Sequence, residues 1–171
     1  MKSIEITGKR NIDGIFNIKN PQRKSVMNGD IDISYFTYLK QLQIINCLYL
    51  EQHIEHKIVM KREITKKING YKNQDIRKSL LDIDKIISLD QVIERLMESK
   101  LKCFYCRENC ELLYKDVLSK KQWTLDRIDN KLGHNYDNVV ICCLECNVKR
   151  GNMDSERFKR GKEIKIVRKQ F

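Results

Sequence analysis

Two pairs of cysteines constrain the fold of this chain more than any other feature of its sequence. Cys103 and Cys106 form CFYC, and Cys143 and Cys146 form CLEC. A two-residue spacer lets both sulfurs of a pair reach one ion without straining the backbone, so two such pairs match a tetrahedral zinc site with four cysteine ligands. The alternative is a set of buried free thiols. If zinc is bound, residues 107–142 must fold into a unit whose ends meet at the ion.

The rest of the sequence indicates the compartment. No apolar segment follows Lys2, so the N-terminus does not resemble a signal peptide, and the longest apolar runs are too short to span a bilayer. We expect an intracellular protein without a membrane partner, in a reducing cytoplasm or nucleus where thiols bind metal. Its richness in Ile, Lys and Asn is typical of AT-rich genomes, including those of viruses and mobile elements. Cys142 adjoins Cys143 and is a competing ligand, whereas Cys47 and Cys110 are expected to be packed or partly exposed thiols.

The chain is strongly basic, which points to a polyanionic partner. Lys and Arg outnumber Asp and Glu by 34 to 23, for a formal net charge of +11. Nucleic acid is the commonest acidic partner of such a chain, although a basic protein without a polyanionic ligand has the same composition. The excess is densest in residues 148–171. This tail is either a solvated helix face or, beside a nucleic-acid site, a clamp on the phosphate backbone.

The residues before the first cysteine pair divide into an arm and a helical region. Residues 1–34 contain the only proline and many Asn and Lys, so we expect an extended or loosely ordered basic arm. Residues 35–98 place apolar side chains close to a 3.6-residue period, which predicts helices. Asn69-Gly70 is a turn signal that should end the first helical unit, and a second unit should begin near Asp75.

One helix start in this region has a complete capping signature. Ser88 can cap the helix, Gln91 lies at the reciprocal position of a capping box, and Ile87 can pack onto Val92. The sequence assigns no chemistry to this helical region, and a docking platform for a protein partner is the role that it would suit.

Between the two cysteine pairs, the pattern predicts a small hairpin followed by a helix. Residues 123–129 alternate as a strand, residues 130–137 form a polar loop with Gly133 as a turn former, and residues 139–141 make a second, β-branched strand. A helix should begin near the second cysteine pair. We therefore predict an α+β protein, mainly helical at first and followed, over residues 99–171, by a zinc-clipped strand–loop–strand–helix unit.

Three segments of this unit, LDRID, DNVVICC and CLECNVKRG, carry a family resemblance. With them, the unit resembles the HNH nuclease family, of ββα-metal fold, in its four-cysteine zinc-bearing form. The resemblance covers residues 101–158 and none of residues 1–90. It implies that Asp126 and Asn147 are ligands of a catalytic divalent ion and that Asn138 braces the loop. Mg²⁺ or Mn²⁺ suits such a site, because these ions prefer oxygen ligands and keep waters that a scissile phosphate can replace.

The sequence departs from the family at Arg127, where the resemblance implies a general-base histidine. Arginine cannot accept a proton at any working pH. Three readings stay open: His134 or Asp129 supplies the base, metal-bound water reacts without a dedicated base at a reduced rate, or the site is silent and Arg127 grips a phosphate. Arg127 could also form an ion pair with Asp126 or Asp129 that only stabilises the hairpin.

These motifs predict a metal-dependent endonuclease that hydrolyses phosphodiester bonds in nucleic acid, with DNA favoured over RNA. The implied cofactors are a structural Zn²⁺ and a catalytic Mg²⁺ or Mn²⁺. The alternative is a catalytically silent zinc module that binds nucleic acid or joins a larger assembly. The residues expected to contact nucleic acid are Arg127, Lys149, Arg150, Arg157, Lys159 and Arg160.

Overall fold

The computed structural model describes residues 32–116 and 118–164 of the chain. Most of the predicted basic arm and the end of the basic tail lie outside these residues. The described part begins with a 3₁₀ helix, Ile33–Phe36, whose N-terminus is capped by the side chain of Asp32. The last residues of the predicted arm therefore belong to the folded unit.

The described residues form five α-helices and one two-stranded antiparallel sheet. In chain order these are α1 (Tyr38–Tyr49), α2 (Lys57–Arg77), α3 (Leu89–Glu98), β1 (Trp123–Arg127), β2 (Val139–Cys143), α4 (Leu144–Arg150) and α5 (Ser155–Glu163). The predicted α+β class is confirmed, with helices first and a strand–strand–helix unit after them. No helix in the described ranges is long and apolar enough to cross a membrane.

Helix α2 shows that the predicted turn at Asn69-Gly70 is wrong. The helix runs without interruption from Lys57 to Arg77, so Asp75 lies in its last turns and does not begin a new helix. Its buried apolar residues, one helical turn apart, are Met60, Ile64 and Ile68. Packing of this stripe into the core outweighs the local cost of a glycine inside a helix, which is about 1 kcal/mol relative to alanine.

Helix α3 begins where the sequence predicts. The Ser88 hydroxyl accepts a hydrogen bond from the Gln91 N–H at 3.3 Å, and the Gln91 side chain accepts one from the Ser88 N–H at 2.9 Å. This reciprocal pair satisfies two backbone donors that the helix itself leaves unpaired. Val92, Ile93 and Leu96 are buried on one side of the helix. The predicted capping box and apolar face are both confirmed.

The hairpin is covered on its outer edge by α2. Its strands pair in a register that places Trp123 opposite Cys143, and all five residues of β1 are buried. On the free edge of β1, Lys67 donates to the carbonyl of Trp123, and the Tyr71 hydroxyl accepts from the N–H of Leu125 at 3.0 Å. Because a two-stranded hairpin alone is only marginally stable in water, α2 is part of what holds it.

A buried glutamine ties α1 to the segment between the cysteine pairs. Gln41 is 2% exposed, and its side-chain oxygen accepts hydrogen bonds from the N–H groups of Leu112 at 2.6 Å and Leu113 at 3.2 Å. Its amide group donates to the carbonyls of Phe36 and Leu113. The helical region and the hairpin unit therefore share buried hydrogen bonds as well as one hydrophobic core.

Replacing Gln41 with Leu should lower the free energy of unfolding by about 2–4 kcal/mol, because two buried N–H groups lose their acceptor and each costs about 1–3 kcal/mol. Urea unfolding followed by circular dichroism measures the change. Gln43 is an exposed glutamine on the same helix, and Gln43→Leu should shift stability by no more than about 0.5 kcal/mol. Equal effects of the two substitutions would contradict the role given to Gln41.

Candidate functional site

The four paired cysteines come together at one point, where they could hold a metal ion. The sulfurs of Cys103, Cys106, Cys143 and Cys146 all lie within 4.8 Å of one another, and the Cys106 and Cys143 sulfurs are 4.0 Å apart. Four sulfurs at 2.3 Å from a tetrahedral ion would be separated by about 3.8 Å. The separation is far too long for a disulfide, which needs about 2.05 Å. The donor set and its size therefore fit one thiolate-bound ion.

Backbone contacts hold both cysteine pairs in place. The N–H of Phe104, inside the first pair, donates to the carbonyl of Ile141 in β2 at 2.9 Å. Cys143 ends β2 and caps α4, where its sulfur accepts a hydrogen bond from the Cys146 N–H. In the first cysteine pair, the Cys103 sulfur accepts hydrogen bonds from the thiols of Cys110 and Cys143, and these bonds lower the pKa of Cys103. A thiolate is the form that binds metal.

The remaining cysteines lie outside the cluster. Cys142 alternates to the other face of β2, where its sulfur lies 3.2 Å from the Thr124 hydroxyl, so it does not compete for the ion. Cys110 is buried and hydrogen-bonded to Cys103, and Cys47 is half-buried. Their predicted status as packed or partly exposed thiols agrees with this arrangement.

We expect the purified protein to carry one metal ion per chain, zinc by the sequence pattern, measurable by elemental mass spectrometry. Cys146→Ser should lower the metal content and the melting temperature together, because structural metal binding contributes directly to folding. Cys47→Ser is the matched control and should change neither. Full metal content in Cys146→Ser, or an oxidised metal-free wild type, would contradict the assignment.

A cavity of about 540 Å³ opens beside the cluster. One wall is α2, the opposite wall is α4 and the turn that follows it, and the floor is β1. The polar and charged residues that line it are Lys67, Tyr71, Gln74, Lys78, Gln122, Thr124, Asp126, Arg127, Asn130, His134, Asn147 and Asn152. Three residues predicted from separate motifs, Asp126, His134 and Asn147, thus face one cavity.

Asp126 is buried and held by two hydrogen bonds. One carboxylate oxygen accepts from the Tyr105 hydroxyl at 2.7 Å, and the other accepts from the Arg150 guanidinium at 2.7 Å. Burial raises the pKa of Asp126, while the hydrogen bond from Tyr105 and the charge of Arg150 oppose that rise. Each oxygen keeps a second lone pair, so the carboxylate can still accept a further ligand.

Arg150 does not occupy the position expected of a phosphate contact. Its side chain is 1% exposed and forms an ion pair with Asp126. The guanidinium also donates to the carbonyls of Arg127 and Ile128, at 2.7 and 3.0 Å. This geometry corrects the expectation from sequence, because a guanidinium enclosed by the turn after β1 cannot reach a polyanion outside. Arg150 instead fixes Asp126 and that turn.

Asn147 presents its side-chain oxygen without a competing hydrogen bond among the residues described. Its amide group donates to the Thr124 hydroxyl at 3.1 Å and to the carbonyl of Leu125 at 3.3 Å. These two bonds fix the orientation of the carboxamide on β1. The remaining oxygen is a neutral donor of the kind that a hard cation accepts.

His134 is buried and oriented by Asp75 of α2. Its Nδ1 lies 2.8 Å from one Asp75 oxygen, and its backbone N–H donates to the other at 2.7 Å. Because an ionised carboxylate only accepts, Nδ1 carries the hydrogen and the neutral ring leaves Nε2 free as a base. The ring also stacks on Tyr71, with centroids 4.6 Å apart. Burial lowers the pKa of His134, whereas the hydrogen bond and charge of Asp75 oppose that shift.

The glycine before His134 is required by this docking. A Cβ on Gly133 would lie 2.6 Å from the carbonyl oxygen of Leu80 and 3.1 Å from the Asp75 carboxylate. The loop therefore fits against the end of α2 only with glycine there. Asp75 itself was missed by the sequence reading, because its only local signal is an acid in a basic helix, and its partner is 59 residues away.

Asn138 and Asp129 support the loop from its other side. The Asn138 side chain accepts from the N–H of Asp129 at 2.9 Å and donates to the carbonyls of Asp129 and Gly133, both at 3.0 Å. This is the bracing contact that the resemblance implies for Asn138. Asp129 is exposed and its carboxylate accepts from the N–H of Lys131. It does not line the cavity, which favours His134 over Asp129 as the base.

Arg127 lies on the cavity wall without an acidic partner among the described residues. Its guanidinium donates to the carbonyls of Asn130 and Leu132, at 3.4 and 3.1 Å. Arg127 therefore does not form the ion pair with Asp126 or Asp129 that was one alternative from the sequence. Instead, Arg127 lines the cavity with a guanidinium that the loop carbonyls hold in place.

The other basic residues of the predicted interface lie outside the cavity. Lys149 is exposed and pairs with Glu145 at 2.6 Å. Arg157, Lys159 and Arg160 are on α5, and the Lys159 ammonium lies over the Phe104 ring, 4.5 Å from its centroid. Their contact with nucleic acid stays a prediction.

Comparison with protein-family models, with curated proteins and with solved structures found no match. The family resemblance therefore rests on the motifs around Asp126, Asn138 and Asn147 and on the positions that these residues take in the fold.

Proposed function

We propose that this protein is a metal-dependent endonuclease of the HNH type that hydrolyses phosphodiester bonds, with DNA as the favoured substrate. The observation that carries the proposal is the shared cavity of Asp126, Asn147 and His134. A carboxylate, a carboxamide oxygen and an oriented imidazole are the groups that such a reaction needs, and they come from a strand, a helix and a loop.

The four-cysteine cluster is the structural part of this proposal. We assign zinc to it, because four thiolates in a closed tetrahedral set are typical of structural zinc and leave no open position for substrate. The ion would tie the first cysteine pair to the end of β2 and the start of α4. Asn147 follows Cys146 directly, so the same ion would also fix the position of Asn147.

We assign a second ion, Mg²⁺ or Mn²⁺, to Asp126 and Asn147, which would hold it. The donor set is one carboxylate, partly neutralised by Arg150, and one unpaired amide oxygen. Such a set is weak, as expected for Mg²⁺, which binds through one or two carboxylates and completes its shell with water and substrate phosphate. When bound, this ion would neutralise the charge that develops on the phosphate.

His134 is the general base in this account. A water molecule attacks the phosphorus and passes a proton to His134 Nε2, while the bond from phosphorus to the leaving oxygen breaks and that oxygen takes a proton from solvent. Asp75 keeps Nδ1 protonated, so Nε2 is the ring nitrogen that is left to accept a proton. Arg127 supplies a permanent positive charge for the phosphate. The histidine that the family places beside the aspartate is thus replaced by one from the loop.

One observation favours the alternative of a silent zinc module that binds nucleic acid. Asp126 is already paired with Arg150, and this internal cation weakens the attraction for a second ion. A silent module would bind nucleic acid in a salt-sensitive manner without cleaving it at any concentration of Mg²⁺ or Mn²⁺.

Nicking of supercoiled plasmid in Mg²⁺ or Mn²⁺ separates the two functions. His134→Gln should reduce the rate by about 10²- to 10⁴-fold, as expected for loss of a general base. Asp126→Asn retains hydrogen-bonding groups toward Tyr105 and Arg150 but loses the anionic ligand, and should reduce nicking as strongly. His53 is exposed, so His53→Gln is the matched control and should nick like the wild type. Equal nicking by all four proteins would remove the assigned site.

The pH dependence of nicking should report His134. Because burial lowers its pKa, the neutral base persists at pH 7, and the rate should fall only below the ordinary histidine value of about 6.5. Asp75 raises this pKa, so Asp75→Asn should move the acid limb to still lower pH while reducing the maximal rate. A rate that already falls above about pH 6.5, or an acid limb that Asp75→Asn leaves unchanged, would contradict the pairing of Asp75 with His134.

A further inference from the structure

Helix α2 is the most basic long helix of the described chain, and one side of it faces the cavity. It carries seven Lys and Arg against two acidic residues, Glu63 and Asp75. The cavity-lining side chains of α2 and its C-cap recur every three or four positions and so form one stripe. They are Lys67, Gly70, Tyr71, Gln74 and Lys78. The sequence reading gave this helix no chemical role.

The cations of α2 are unevenly neutralised along its length. At the N-terminal end, Lys57 and Lys61 pair with Glu51, at 2.7 and 2.5 Å. At the C-terminal end, Lys78 is exposed and has no ion pair among the described residues. The exposed cations of α2 and its C-cap that have no ion pair among the described residues are Lys72, Arg77 and Lys78, and of these Lys78 lines the cavity.

Lys67 also lines the cavity, but its ammonium is held at the edge of β1, where it donates to the carbonyl of Trp123 and to the Gln122 side chain at 3.0 Å. Its ammonium lies 4.6 Å from the centre of the Trp123 ring and 4.8 Å from that of Tyr114. Burial lowers its pKa to about 7, and a neighbouring anion would restore its charge. Lys78 and Arg127 are the other basic side chains on the cavity surface, and Asp126, the one carboxylate among the described residues that line it, is already paired with Arg150.

Gly70 lies at the middle of this stripe and has no structural reason to be glycine. A Cβ there would meet nothing within 4 Å, and α2 is ordinary right-handed helix at this point. Glycine is among the least favourable residues inside a helix. The main physical effect of Gly70 is to leave free space on the cavity wall, where another residue would place a side chain.

We propose that α2 is the second wall of a groove that holds one strand of a polynucleotide, with a backbone phosphate against Lys78 and clearance at Gly70. This inference deepens the proposed function and rests on it for the assignment of the cavity to nucleic acid. The facing wall is apolar at Leu144 and Val148, which suits contact with sugars and base edges. The positive charge of the groove favours phosphates over a neutral or cationic ligand.

Two matched pairs of variants test this wall. Gly70→Leu adds a side chain on the cavity stripe, and Asn69→Leu adds the same side chain to the adjacent exposed position of the same helix. Lys78→Gln removes a cation beside the cavity, and Lys72→Gln removes one from an exposed position that does not line it. Binding of a fluorescent single-stranded DNA and of the corresponding duplex is measured over a range of salt, without added Mg²⁺ or Mn²⁺.

We expect Gly70→Leu to weaken binding about tenfold relative to Asn69→Leu, a steric penalty in the usual range for overfilling a fitted space. Lys78→Gln should weaken binding several-fold and reduce the salt slope by about one relative to Lys72→Gln. Thermal melting should show that Gly70→Leu is folded and at least as stable as the wild type, since leucine favours helix.

Equal DNA binding by the two variants of each pair would contradict the role of α2 as a groove wall. Failure of the wild-type protein to bind either the single-stranded DNA or the duplex would contradict it as well. Polyglutamate that binds as tightly as DNA and is equally excluded by Gly70→Leu would also overturn it, because the groove would then take an acidic peptide. Plasmid nicking separates this inference from the nuclease assignment. If the wild type nicks plasmid but the variants of each pair bind DNA equally, the role of α2 as a groove wall is wrong and the nuclease assignment stands. If the variants of each pair differ in binding but no protein nicks plasmid, the nuclease assignment is wrong and the groove wall stands.

Discussion

The requirement that four sulfurs share one point governs the geometry of this protein from Leu101 to Arg150. A hairpin of two five-residue strands has too little buried surface to be stable alone. The first cysteine pair packs on β2, and Cys143 ends that strand and caps α4. An ion at this point would fix the strand ends, the helix start and Asn147 relative to one another. The cavity is lined by β1 and α4 together with α2.

The N-terminal helices provide further contacts that hold the hairpin and the loop. Helix α2 covers the open edge of β1 through Lys67 and Tyr71, and its Asp75 orients His134. In the proposed function, the general base that the strand motif lacks is His134, which lies on a loop held by another part of the chain. This dependence explains why the helical region and the hairpin unit share buried polar contacts. It also makes the helices part of the proposed active site as well as its support.

Features encoded by local signals could be predicted from the sequence. The Ser88 capping box, the two short strands and the cysteine cluster each depend on residues within a few positions or on a spacing rule, and the structure has all three. The errors arise where distant packing decides. The core stripe of α2 overrides the turn signal at Gly70, and burial turns Arg150 from a surface cation into the partner of Asp126. No local pattern could pair Asp75 with His134, because that contact joins two elements far apart in the chain.

The central claim is that Asp126 and Asn147 hold one divalent ion in the cavity next to His134. The most direct measurement is a crystal structure with Mn²⁺ and a non-cleavable phosphorothioate oligonucleotide, with anomalous maps collected at the zinc and manganese edges. The account predicts zinc at the four sulfurs and manganese in the cavity, bound to the Asp126 carboxylate, the Asn147 carboxamide oxygen and a phosphate. Manganese absent from the cavity while the oligonucleotide occupies it would contradict the account and leave a metal-clipped nucleic-acid-binding protein.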